Sequence, residues 1–131
     1  QRFVRQFVDL TKTANRPERG TMKMLTEGHE PGHYYELEAF EGGPSQHLQF
    51  IEKRVTGEGE PAEPGQLLTI YDGTTNEEVL AVLIDRMYHL QRKMSCRENA
   101  IVITKLEEAL MWLNKRTADR KARGVEGAHT A

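Results

Sequence analysis

Two helical runs separated by two residues constrain this chain more than any other feature. Val79, Leu80, Leu83, Ile84, Met87, Leu90 and Met94 recur every three or four positions, which predicts a helix over 75–94 with one apolar face. Thr75 followed by Glu78 has the form of a capping box, in which each side chain satisfies a free backbone N–H at the helix start. After Ser95-Cys96 a second run, Val102, Ile103, Leu106, Ala109, Leu110 and Leu113, predicts a helix from about Arg97 to Arg123, with Gly124 as its terminator. A connection this short forces the two helices to run antiparallel, as a hairpin.

The first half has the other periodicity. Tyr34–Phe40 alternates, with Tyr35, Leu37 and Ala39 on one face and Glu36 and Glu38 on the other. His47–Arg54 and Leu67–Tyr71 complete three expected strands, and their spacing suits a small antiparallel sheet. Glu41-Gly42-Gly43-Pro44 breaks the chain between the first two, and the Gly-, Pro- and Glu-rich stretch 56–65 reads as loop. Phe3, Val4, Phe7, Val8 and Leu10 predict a short amphipathic helix over 1–13, followed by loop over 14–33. The expected fold class is therefore α+β: a small antiparallel sheet followed by a two-helix antiparallel hairpin, in an oligomer. Two parts are expected, an N-terminal segment over 1–65 and a hairpin domain over 66–131 that carries ligand binding and oligomerisation.

Composition narrows the function. Hydrophobic residues make up 37% of the 131 positions, enough for a modest core that self-association would extend. The net charge of −2 gives no reason to expect long nucleic acids as partners. No apolar run approaches the ~20 residues that span a bilayer, so no membrane partner is expected. The residues from Gln1 to Leu10 are not expected to act as a signal peptide, because Arg2, Arg5 and Asp9 interrupt them. One cysteine, Cys96, cannot form an intrachain disulfide, which fits a reducing cytoplasm.

The seam of the second helix carries the candidate site. Beyond Leu113 the same face continues to Arg116 and Arg120, and in the other direction it begins at Asn99. One face thus reads amide, apolar core, then two guanidinium groups. Arginine forks present paired donors to phosphate oxygens and can stack on a base. An amide can read the edge of a base or ribose. Arginines at a helix end also complement its dipole, and an asparagine near a helix start also caps it, so the pattern leaves both readings open. Asn99 and the arginines lie ~25 Å apart along one helix at 1.5 Å per residue. A single ligand can meet both only if two subunits bring opposite helix ends together, as an antiparallel pair across a two-fold axis does.

Five ordered stretches carry a resemblance. They are Asp72-Gly73-Thr74-Thr75-Asn76-Glu77-Glu78-Val79-Leu80, Cys96-Arg97-Glu98-Asn99, Leu106-Glu107-Glu108-Ala109-Leu110-Met111-Trp112-Leu113, Arg116-Thr117-Ala118-Asp119-Arg120 and Arg123-Gly124-Val125-Glu126-Gly127. Over about Leu67–His129 the chain resembles the helical-hairpin family of bacteriophage anti-Thoeris and anti-CBASS sponge proteins. The preceding sheet resembles the larger, anti-Thoeris type with its β-rich N-terminal part. The resemblance implies a phage counter-defence factor that binds and sequesters cyclic nucleotide immune messengers without cleaving them. Its implied ligands are cyclic ADP-ribose isomers, cyclic dinucleotides and cyclic trinucleotides. It implies a homo-oligomer, commonly a hexamer, in the host bacterial cytoplasm, with no metal and no cofactor. The family's ligand contacts would fall on Asn99, Arg116 and Arg120, plus an aromatic position in the first helix that is His89 here. Histidine stacks less strongly than phenylalanine, and the neighbouring Tyr88 faces about 100° away. A second site for cyclic oligonucleotides would lie near Arg123, Gly124 and Gly127.

Other constellations compete weakly. Gly28-His29-Glu30-Pro31-Gly32-His33 superficially resembles a zinc helix, but Pro31 and Gly32 argue against helix there. Cys96, beside Arg97 in the turn, has no matching His/Asn set. Glu107 and Glu108 diverge on a helix and make no acid/base pair, and Trp112, off the main seam, is read as packing against another subunit or the sheet, with core packing the default. A hydrolase of the same messengers would need a base and an activated water. A phage structural or protein-binding component would use the hairpin for oligomerisation alone.

Overall fold

The computed structural model describes residues 22–57 and 65–124. The helix expected over 1–13 lies outside the described residues. The chain divides into two compact units, 1–49 and 50–131.

The first unit is a three-stranded antiparallel sheet in the order β1 (Lys23–Met24), β2 (Tyr34–Leu37), β3 (Gln46–Gln49). Register puts Met24, Tyr35 and Leu48 in one apolar row and Lys23, Glu36 and His47 in the neighbouring polar row, as pleat alternation requires. Gly28 and Gly32 take φ of 76° and 94° in the β1–β2 connection, a region that residues with a Cβ avoid. The histidines of that connection are separated by its turns. The His29 ring stacks on Tyr34 at 4.7 Å, and His47 stacks on Tyr34 at 5.4 Å. The His33 Nδ1 lies 3.3 Å from the Glu30 carbonyl oxygen. No cluster of three or more potential metal ligands occurs among the described residues.

The second unit begins with a finding that the alternation of 47–54 does not show. That stretch is two strands, not one. β3 ends at Gln49, and β4 (Glu52–Val55) belongs to a separate two-stranded sheet with β5 (Leu67–Tyr71). The break falls where Phe50 bridges in parallel to Thr74 and the Ile51 N–H donates to the Thr74 carbonyl at 2.9 Å. Backbone groups here satisfy partners on the segment leading into the hairpin, so strand pairing with β2 cannot continue. The β1 strand, placed in an expected loop, is the other addition. Thr56 closes the second sheet: buried at 3% exposure, it exchanges backbone and hydroxyl hydrogen bonds with Gln66.

The hairpin follows as expected: α1 (Asn76–Lys93) and α2 (Arg97–Ala122). Thr75 caps α1, its Oγ1 accepting from the Glu78 N–H at 3.2 Å. The reciprocal half of the capping box is missing, since the Glu78 carboxylate faces an open groove instead. Half-buried positions on α1 are Glu77, Leu80, Ile84, Met87 and Gln91, with Val79 beside them. On α2 the inward seam is Asn99, Ile103, Leu106, Leu110, Leu113, Thr117 and Arg120. Both seams alternate steps of three and four, the spacing that keeps a helix face against an antiparallel neighbour. The Gln91 side chain clips the turn: Nε2 donates to the Cys96 carbonyl and Oε1 accepts from the Cys96 N–H, both at 3.1 Å.

One polar bond crosses the helices. The Tyr88 hydroxyl donates to Glu107 Oε2 at 2.6 Å, and that bond, with the carboxylate's charge, raises the Tyr88 pKa above 10.0. A raised phenol pKa means the bond contributes below the pH of an unfolded tyrosine's ionisation and is lost as pH rises through the folded value. Glu107→Gln is expected to bring the Tyr88 titration back down towards the ordinary tyrosine value of 10.0. Tyrosinate absorbance against pH reads it, and an unchanged titration would show that the bond does not persist in solution.

Candidate functional site

The expected ligand groups divide between the two ends of the hairpin. Asn99 sits in the first turn of α2, half-buried on the seam that faces α1. Its backbone N–H donates to the Cys96 Sγ at 3.4 Å, so the thiol, rather than Asn99, caps the helix. That leaves the Asn99 amide available for recognition. Cysteine is a poor capping residue by frequency, which is why the sequence pattern missed this role.

Arg116 and Arg120 lie at the far end, one helical turn apart. The structure separates them by burial. Arg120 is 7% exposed at the end of the seam, whereas Arg116 stands on the exposed flank with Val102 and Ala109. The seam read from sequence thus resolves into two adjacent stripes, one inward and one outward. Buried guanidinium groups need compensation, and Glu52 on β4 is the other buried charge among the described residues of this unit, at 5% exposure. Nothing in the periodicity of 47–54 marks Glu52 as buried, because it follows the break between strands. Beside the arginines, Lys115 pairs with Asp119 at 2.8 Å on the exposed side.

His89 lies on the face of α1 that points away from α2. Arg92 Nη2 is 3.1 Å from His89 Nδ1, and Asp85 Oδ2 is 3.6 Å from His89 Nε2. A guanidinium can only donate, so this geometry places the ring proton on Nε2, towards the carboxylate. His89 and Asn99 are both near the turn but face outward and inward respectively, so one chain does not bring them together. Tyr88 is engaged with Glu107.

At the end of α2, Arg123 is the C-cap, its N–H donating to the Asp119 carbonyl at 3.1 Å. Gly124 follows with φ 71°, donating to Lys121 at 3.0 Å, as a left-handed terminator does. Gly127 lies outside the described residues. Trp112, read by default as core, is instead 59% exposed, one of several large apolar side chains left uncovered on α2.

The fold is a helical-hairpin domain, introduced by a two-stranded sheet, with Asn99 near one end of its second helix and Arg116 and Arg120 near the other. Comparison with known proteins agrees: the family described as the Acb2/Tad1 hairpin domain matches residues 49–118. That is more than half of the chain, which therefore belongs to this family. The chain is also similar to Thoeris anti-defense 1 of Bacillus phage SBSphiJ7, at 59% identity over 59 residues. The matched stretch covers 44% of this chain and 42% of that relative, so the chain matches less than half of the relative's length.

Proposed function

We propose that this chain is a phage counter-defence protein that binds and sequesters cyclic nucleotide second messengers of bacterial immunity without cleaving them. Its ligands are cyclic ADP-ribose isomers, cyclic dinucleotides or cyclic trinucleotides, met in the cytoplasm of the infected host. Membership of the hairpin family and likeness to a Thoeris anti-defense protein support the reading. The observation that carries it is the division of polar groups. Asn99 and the Arg116–Arg120 pair occupy opposite ends of one rigid helix, ~25 Å apart, and each end is incomplete without a second copy running the other way.

In this reading Arg116 and Arg120 hold phosphate oxygens, Asn99 reads a base or ribose edge, and His89 stacks on a base. Arg123, Gly124 and Gly127 form a second site for cyclic oligonucleotides. The ligand-binding and oligomerising part is 66–131, preceded by a β-rich segment over 1–65. The protein is a homo-oligomer, of hexameric order. Surface chemistry supports assembly: Leu83 and Leu90 on α1 and Val102 on α2 each stay more than a third exposed, and Ile103 is the one buried apolar residue among those described. Neither described helix is long and apolar enough to cross a membrane.

Calorimetry with cyclic ADP-ribose isomers and cyclic di- and trinucleotides tests the proposal. At least one ligand is expected to bind tightly and to be recovered intact when the complex is heated. Recovery of cleaved product would make the protein a hydrolase. Absence of binding to the whole panel would leave the hairpin as an assembly module.

A further inference from the structure

The described residues bury two charged side chains, and these carry opposite signs: Glu52 on β4 at 5% exposure and Arg120 on the last turns of α2 at 7%. The other buried polar residue, Thr56, is engaged with Gln66 and answers neither charge. An ionised group taken out of water is stable only where an opposite charge or several hydrogen bonds compensate it.

Three observations bring the two charges to one place. Ile51, next to Glu52, donates its N–H to the Thr74 carbonyl at 2.9 Å, and Phe50 bridges to Thr74. The start of β4 is thereby tied to the residue before Thr75, the cap of α1. The Tyr88–Glu107 bond fixes the level of the two helices. Thirteen residues back along α1 lies Thr75 and thirteen forward along α2 lies Arg120, so both stand ~20 Å from that bond at the same end of the hairpin. The register of β4 against β5 also shifts between Glu52 and Lys53. Such a bulge re-aims a side chain out of plain alternation, and here Glu52 is buried while Lys53 and Arg54 are exposed.

We infer that Glu52 is the positioning residue of Arg120, its carboxylate holding the guanidinium from behind where β4 meets the hairpin. A guanidinium offers five N–H donors in one rigid plane. One edge held by a carboxylate fixes the direction of the others and leaves them for a phosphate.

The pairing stands on burial and topology alone; its role towards a ligand rests on the proposed function. In that role the two arginines divide the work. Arg116, exposed one turn earlier, supplies charge that solvent and salt can reach. Arg120, backed by Glu52, supplies direction. The ligand-binding part then extends upstream of residue 66 to β4, and the family match, which starts at residue 49, takes in Glu52.

A double-mutant cycle on the full chain tests the pair without any ligand. Glu52→Gln and Arg120→Met each leave one charge buried alone, and each is expected to raise the unfolding equilibrium constant about a hundredfold or more. The double variant buries neither charge and is expected to be no less stable than the weaker single variant. Denaturant unfolding at one fixed protein concentration reads all four proteins. Single variants that fail to fold beside a double variant that folds give the same answer, and losses that simply add would overturn the inference. Calorimetry with cyclic ADP-ribose isomers and cyclic di- and trinucleotides then tests the positioning. Glu52→Gln is expected to weaken binding about tenfold or more in the wild type and in Arg116→Ala, through lost preorganisation. In Arg120→Met, where no guanidinium remains to be aimed, it is expected to change binding by less than about twofold. A loss of equal size in all three backgrounds would overturn the positioning role, because general damage to the fold does not depend on Arg120. A wild type that binds none of these ligands would sink the proposed function, while the unfolding cycle still decides the pair.

Discussion

Arg116→Ala and Arg120→Ala are expected to lose ligand to a similar degree and to differ sharply in stability. Truncating one donor of a charge-assisted pair with a phosphate costs about 2–5 kcal/mol of binding, so each variant should bind at least about 30-fold more weakly at 1.4 kcal/mol per decade. Arg116 is exposed, and its removal should change unfolding free energy by no more than about 0.5 kcal/mol. Arg120 is 7% exposed and ends the seam between the helices. Its alanine variant loses packing of the long stem and leaves any buried negative partner uncompensated, which together cost about 3 kcal/mol or more. Titration calorimetry and denaturant unfolding on the same samples separate the two quantities. Equal stability of the two variants would show that Arg120 is not buried in solution. Unchanged affinity in both would remove the arginines from the ligand site.

How much of this was legible in the sequence depends on how local the cause is. The helices were, because caps and period are written in adjacent residues: Thr75, the Ser95-Cys96 break and Gly124 all stand where the structure uses them. The strand break inside 47–54 was not, because it is imposed by Thr74, more than twenty residues on in the chain, through the Phe50 bridge and the Ile51 hydrogen bond. Site residues show the same division. Asn99, Arg116 and Arg120 are proposed from their spacing on one helix, a pattern that capping and the helix dipole also explain. Which of the two arginines turns inward did not, since they differ by only about 40° around the axis and the choice rests on the buried surroundings of Arg120. His89 was placed by family likeness, and only the structure shows it on the face away from Asn99.

Ile103→Ala is expected to be the most damaging small change among the described residues. Ile103 is 6% exposed and is the one fully buried apolar side chain among the described residues. Large-to-small changes of this kind cost about 2–5 kcal/mol, through lost burial and the cavity left behind. Single domains have only about 5–15 kcal/mol in total, and a hairpin with so thin an interior should sit near the lower end. Partially covered neighbours such as Leu106 and Leu110 offer little reserve, because their remaining apolar surface is buried only if another copy covers it. In the proposed oligomer, assembly and folding are therefore coupled. The unfolding midpoint of the wild type should rise with protein concentration, and the Ile103→Ala variant should unfold near ambient temperature when dilute yet recover helix when concentrated. Circular dichroism melts over a wide concentration range read both effects. A concentration-independent midpoint, with Ile103→Ala losing less than about 1 kcal/mol, would mean that the monomer holds its own core and that the exposed apolar residues of both helices serve something other than self-association.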